Sequence, residues 1–239
     1  MKLENNGPCL LCGAPLQYVQ EAVELECAIC HRSVESHTFC ENGHFICDMC
    51  HGAPGAAAVR YVALHTKEED PILVAEEMMA HEAVHMHGPE HHILIGAALL
   101  TAYRNRGGEL DLAQALHEME RRGSAVPGGA CGFWGACGAA ISTGMALSIL
   151  TKCTPYETAV WGRCNDLTGD CLKAIGQVGG PRCCKRNGFL CIQTAVPVIQ
   201  EVTGVALPRA KQISCTHFPH NRECLKTKCP YFPANAFHG

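Results

Sequence analysis

Aromatic side chains are scarce, at 6% of 239 residues, and positive charge is not in excess: the formal net charge is −4 with histidines neutral. These two absences exclude the common nucleic-acid platforms, which stack bases on aromatic rings and attract phosphates with a basic field. Long apolar runs are also missing. The most apolar stretches, such as ILIGAALLTAY (93–103), are shorter than the roughly 20 residues a helix needs to cross a bilayer. The polar start MKLENNGPCLLC has no apolar core of a secretory signal, so a cytoplasmic protein is expected. Alternation of apolar and polar residues is absent beyond the N-terminal segment, which argues against a large sheet.

What the chain has in excess is cysteine, 18 residues, together with 14 histidines. Thiols at that density, in a chain with no export signal, predict metal sites rather than disulfides. At 47% hydrophobic and 18% charged, the rest of the sequence can build a core.

Residues 1–51 carry two C-x-x-C pairs, Cys9/Cys12 and Cys27/Cys30, followed by Cys40, His44, Cys47 and Cys50. Eight ligands fill two closed tetrahedral zinc sites, one with four cysteines and one with three cysteines and a histidine. Sequential and cross-braced pairing both fit the order of the ligands. The segment is too poor in apolar residues to fold on a core, and metal binding at roughly 10–16 kcal/mol per site is what folds such a span. Residues 52–70, beginning GAPGAAAV, read as a linker. Residues 71–206 read as a helical core domain, with helices expected over 71–84, 91–105, 110–122, 141–153 and 189–203. A further helix should start at the capping box Thr154-Pro155-Tyr156-Glu157. Residues 207–239 form a cysteine-bearing tail packed on that core. The expected fold class is mainly α: a helical core domain, a small N-terminal zinc-ribbon or finger-like module, and a cysteine-containing C-terminal tail.

HEAVHMHGPEHH (81–92) matches the metzincin spacing H-E-x-x-H-x-x-G-x-x-H through His81, Glu82, His85, Gly88 and His91. A zinc peptidase is therefore one alternative. It requires His81 and His85 on one helical face, with Glu82 polarising the zinc-bound water. The short run between the zinc module and His81 leaves no room for the sheet that precedes the motif in such enzymes.

HGPEHH (87–92), VPGGACGFWGACGAA (126–140) and GPRCCKRN (180–187) resemble a cysteine-rich prokaryotic family of anaerobes, classed as a domain of unknown function. The resemblance extends over nearly the whole chain, including CENGHFICDMCH and the tail CTHF…NRECLKTKCPYFP. It implies that HGPEHH, rather than H-E-x-x-H, is the meaningful unit. It also implies a link to radical-SAM or methyltransferase proteins as partners, and no established reaction. In this reading Gly88-Pro89 turns the chain into a helix whose start carries Glu90, His91 and His92. With His87, these are the candidate acid–base groups, since a helix N-terminus favours a carboxylate and keeps imidazoles neutral.

Cys131 and Cys137 lie in one glycine-rich loop, and Cys183 and Cys184 in another, flanked by Arg182, Lys185 and Arg186. Loops of this kind, meeting at one end of a helical bundle, suit an iron–sulfur cluster such as 4Fe–4S on three or four thiolates. The three cations would hold the anionic part of a small-molecule substrate for non-redox or sulfur-transfer chemistry. Zinc at the same thiols, or plain packing, are the competing readings. Cys153, Cys164, Cys171 and Cys191 read as core residues. Cys215, Cys224 and Cys229 sit in a tail without a core of its own, which suggests a further metal, iron–sulfur or zinc. A fourth ligand must then come from His217, His220 or a core cysteine. The functional expectation is a metal-binding protein of anaerobic metabolism holding zinc and an iron–sulfur cluster, an enzyme in one reading. In the other it is a non-catalytic docking module for a radical-SAM or methyltransferase partner.

Overall fold

A computed structural model describes residues 9–210 and 212–235, so the N-terminal MKLENNGP discussed above lies outside the described residues. The chain divides into two compact units, residues 1–51 and 52–239. In the first, strands β1 (Leu16–Glu26) and β2 (Ser33–Cys40) pair antiparallel. The register runs from Leu16 opposite Cys40 at the base to Glu26 opposite Ser33 at the tip, with an irregularity between Tyr18 and Val23. The hairpin turn is the second C-x-x-C pair itself, with His31 in the left-handed region at φ 57°. Among the described residues, only Cys27, Phe45 and Cys47 form a buried apolar cluster here. That is too little to hold a fold of this size without metal.

Most of the described chain from residue 48 to 203 is helical, as the apolar spacing predicts. The second unit takes in most of α1 (Asp48–His65), then α2 (Pro71–Met79), α3 (His91–Asn105), α4 (Leu112–Gly123), the single turn α5 (Ala130–Phe133), α6 (Gly138–Leu150), α7 (Trp161–Val178) and α8 (Cys184–Thr203). Helix α3 is the central element, because it is apolar all round. Leu94, Ile95, Ala97, Ala98, Leu99 and Leu100 are fully buried. It packs against α2, α4, α6 and α8. Helix α4 is amphipathic and turns Leu112, Ala115, Leu116 and Met119 inward. Among the described residues no helix is long and apolar enough to cross a membrane.

Four expectations for individual elements need correction. The segment 52–70 is largely α1 rather than a linker, because its alanines are strong helix formers and Ala56, Ala58, Val59 and Ala63 are buried in the core. Helix α2 ends at Met79, five residues before the expected end, and residues 81–90 form turns and bends. The TPYE capping box does not start a helix. Residues 155–159 are exposed, and α7 begins at Trp161, where the buried stripe of Cys164, Leu167 and Cys171 begins to pay off in packing. Helix α8 starts at Cys184 and continues through Pro197, so the second glycine-rich loop shrinks to the few residues around Gly180-Pro181.

The tail folds back onto α8 with only short 3-10 turns of its own. Leu207, Ile213, Cys229 and Tyr231 join the main core. Tyr231 stacks edge-on against Phe189, with ring centroids 5.5 Å apart, and its hydroxyl donates to Gln193 Oε1 at 2.6 Å.

Candidate metal centres

The first unit collects its ligands into two groups, Cys9/Cys12/Cys40/His44 and Cys27/Cys30/Cys47/Cys50. Within each, all donor atoms lie within 4.8 Å of one another. The first and third ligand pairs share one site, and the second and fourth share the other. The pairing is therefore cross-braced, which the ligand order alone left open. The hairpin explains it. Its base brings Cys40 back beside the first knuckle, and its tip is the second knuckle, against which the chain at Phe45–Cys47 closes through a hydrogen bond from Ala28 N to Phe45 O at 2.9 Å.

The spacing inside each group matches one tetrahedral ion. Bonds of about 2.3 Å place ligand sulfurs about 3.8 Å apart. Cys12 and Cys40 sulfurs are 3.5 Å apart, Cys30 and Cys47 sulfurs 3.7 Å, and His44 Nδ1 lies 3.3 Å from Cys12 Sγ and 3.8 Å from Cys9 Sγ. Backbone N–H groups point at the sulfurs: Leu11 N to Cys9, Ile29 N to Cys27, Asn42 N to Cys40 and Cys47 N to Cys27, at 3.3–3.5 Å. Such donors favour thiolates. A backbone bond at Ala14 brings the Cys12 thiol down to about 6. Around Cys27, burial opposes ionisation, yet N–H groups from Ile29, Cys30 and Cys47 still hold it near 6.

In the second unit, the start of α8 and the HGPEHH turn build one buried polar centre. Glu90 is fully buried, at 0% exposure. It fits only because Gly55 and Gly88 lack side chains: a Cβ on Gly55 would come within 2.8 Å of Glu90 Cγ, and one on Gly88 would collide with its carboxylate. His85 N donates to Glu90 Oε1 at 2.9 Å, and His91 Nδ1 lies 3.5 Å from the same oxygen and 3.1 Å from Gly88 O. Burial works against the Glu90 charge, but the hydrogen bonding from His85 prevails and holds the carboxyl at about 2. Burial pushes His91 down to about 3, so its imidazole is neutral. Glu90 Oε2 and His91 Nε2 are both buried and have no hydrogen-bond partner among the described residues.

The other expected acid–base groups turn elsewhere. His92 pairs through Nδ1 with Val126 O at 3.0 Å and packs on Gly138, tying α3 to the first glycine loop. His87 reaches the tail, with Nε2 at 3.2 Å from Asn221 Oδ1 and 3.4 Å from Glu223 Oε2. Of the expected substrate-holding cations, Lys185 donates to His85 O at 2.9 Å. Arg186 donates to Gly179 O and Pro181 O at 2.9 and 3.1 Å. Both are buried and brace backbone. Arg182 is half-buried beside Cys131 and Cys184.

The paired cysteines of the second loop part company. Cys183 caps α8 and Cys184 is its first residue, so their side chains leave the helix start in different directions. Cys184 lies near Cys137, and Cys131 also neighbours Cys137. Cys183 instead lines a pocket with the tail residues Cys215, Cys224 and Cys229. Two side chains that sequence reasoning did not single out serve these sulfurs: Asn187 Nδ2 donates to Cys137 Sγ at 3.4 Å, and Asn221 Nδ2 to Cys183 Sγ at 3.5 Å. Asn187 follows Cys183 by one helical turn, which was the available signal; Asn221 gave none.

The metzincin alternative loses its geometric premise. His81 and His85 sit in turns after the end of α2 rather than on a helical face. His81 and Glu82 are exposed, and His81 Nδ1 accepts from Ala83 N at 3.2 Å. Helix α2 ends at Met79 with its cap at Ala80, so the whole span from His81 to His85 lies beyond it. Cys164, Cys171 and Cys191 are buried, and Cys153 is half-buried against the same core.

A family model described as a family of unknown function (DUF5714) matches residues 59–232. No curated protein and no solved structure matches the chain.

Proposed function

Since the chain belongs to a family of unknown function, DUF5714, we propose its role from the site geometry alone: it is a zinc-dependent docking protein whose first unit binds two Zn2+ ions in a cross-braced module. The observation that carries this reading is the pair of four-ligand groups with every donor atom within 4.8 Å of the others. Thiolate and imidazole donors at tetrahedral spacing suit zinc, and sites closed by four protein ligands are structural rather than catalytic. A docking role is supported by the surface of the module. Leu10, Leu11 and Ile29, beside the first two C-x-x-C pairs, are 49–54% exposed. Apolar side chains held outward by rigid knuckles suit protein partners. Through the family resemblance, the partner class proposed is a radical-SAM or methyltransferase protein.

The test is metal analysis of the full chain purified without oxygen. Two zinc ions per chain are expected in this unit. Cys12→Ser and Cys30→Ser should each lower zinc by about one ion and leave the helical circular dichroism intact. Zinc content unchanged in both variants would refute the assignment.

A second reading, an enzyme acting on a small anionic substrate, draws support from Glu90 Oε2 and His91 Nε2, buried polar atoms that have no partner among the described residues. Buried groups of this kind point to a missing ligand. Here Glu90 would serve as an anionic hydrogen-bond acceptor and His91 as a neutral hydrogen-bonding or metal-accepting group. A thermal-shift screen of small carboxylates and sulfur compounds tests it. A compound that stabilises the protein but not the folded Glu90→Gln variant supports the reading. Equal stabilisation of both would count against it.

A further inference from the structure

We infer that Cys183, Cys215, Cys224 and Cys229 together hold a 4Fe–4S cluster, at a site separate from the zinc module and from the Glu90 centre. The three tail cysteines are spaced C-x8-C-x4-C, and the fourth ligand is the N-cap of α8. Three clustered cysteines plus a distant one is the general plan of cysteine-ligated clusters.

Four features support the assignment. The four thiols line one pocket together with Phe189 and Tyr231. They are not drawn together like the zinc groups, whose donor atoms all lie within 4.8 Å of one another. A single tetrahedral ion would pull the sulfurs to about 3.8 Å, whereas a cubane occupies the space between four thiolates. Each sulfur also faces backbone N–H groups. Arg186 N points at Cys183 at 3.4 Å and Lys226 N at Cys224 at 3.3 Å, while the His217 and Tyr231 amides serve Cys215 and Cys229. To aim its N–H, Lys226 adopts φ 51°, in the left-handed region that a lysine seldom occupies.

The electrostatics agree. Lys185 and Arg186 are 1% and 3% exposed. Arg186 interacts electrostatically with Cys183 and Cys229; Lys185 interacts first with Cys184 and Glu90, and then with Cys183 and Cys215. The hydrogen bonds of Arg186 go to Gly179 O, Pro181 O and Asn187 Oδ1, all neutral. Its positive charge is therefore available to a negative neighbour, and buried cations require one. A cluster with four thiolates supplies it. The Asn221 amide, which donates to Cys183 Sγ at 3.5 Å, adds the kind of hydrogen bond that tunes cluster potential.

The full chain, purified without oxygen and reconstituted with ferrous iron and sulfide under thiol, should contain about four iron and four sulfide per chain, in addition to zinc. It should show broad absorbance in the visible and an electron paramagnetic resonance signal after dithionite reduction. Cys183→Ser and Cys229→Ser should each abolish or convert that signal, while Cys131→Ser and Cys184→Ser keep it. Because Cys224 is only half-buried in a surface turn, Cys224→Ser carries the test if a Cys183 variant fails to fold. Loss of zinc rather than iron from these variants, or iron that survives both Cys224→Ser and Cys229→Ser, overturns the proposal. Cys12→Ser should lose zinc and keep iron, so failure of the docking reading and failure of this one are read on different metals.

Discussion

His91 is 1% exposed, and burial keeps its imidazole neutral down to about 3. Its ordinary value is 6.5, so between these limits the unfolded chain binds a proton that the folded chain refuses. The contribution of this residue to stability is therefore fully present above about 6.5 and is lost as pH falls toward 3. Its largest slope is about 1.4 kcal/mol per pH unit. Urea unfolding followed by helical circular dichroism should show stability falling from pH 6.5 to pH 5, and His91→Gln should flatten that slope. An unchanged slope would mean that the imidazole is charged or solvated. At this scale the sequence was legible where a residue's partners are close in the chain. The C-x-x-C knuckles announced themselves because each places two thiols on one turn. The same locality misled with Cys183 and Cys184. Adjacent residues at a helix start diverge, and only the tail folding back shows which thiols Cys183 joins.

Helix limits were set by caps and buried stripes acting together. Asp70 and Asp111 cap α2 and α4 through Oδ1, accepting from Ile72 N at 2.8 Å and Gln114 N at 3.0 Å. Both helices also carry an apolar stripe directly behind the cap. Thr154-Pro155-Tyr156-Glu157 has the cap without the stripe, and there the chain stays irregular until Trp161. Asp111 is exposed, so its replacement tests the cap with little disturbance of packing. Asp111→Ala should cost about 1 kcal/mol and lower the melting temperature by roughly 2–4 °C. Asp111→Asn should retain most of it. The linker expected over 52–70 became α1 because alanines that look featureless in sequence are useful wherever helices must pack closely.

The two units are stabilised by different means. The first has one small apolar cluster around Cys27, Phe45 and Cys47, and the second has a continuous core built on α3. Removing metal should therefore act selectively. A strong chelator under reducing conditions should abolish protection of β1 and β2 from proteolysis and hydrogen exchange, while α3 and α8 keep theirs. Simultaneous loss of protection in both units would show that the helical unit depends on the first unit.

The amino-acid sequence by itself determined the helical class, the central apolar helix over 91–105, and the cysteine-rich N-terminal module with its eight candidate metal ligands. Each of these follows from periodicity or short spacing, which are local properties of a chain. Tertiary structure alone decided the cross-braced pairing, the burial of Glu90 between two glycines, and the meeting of Cys183 with the tail thiols. Those are encounters between residues far apart in sequence. They form only when hairpin closure and core packing bring distant backbone together, and no local pattern encodes which distant group arrives.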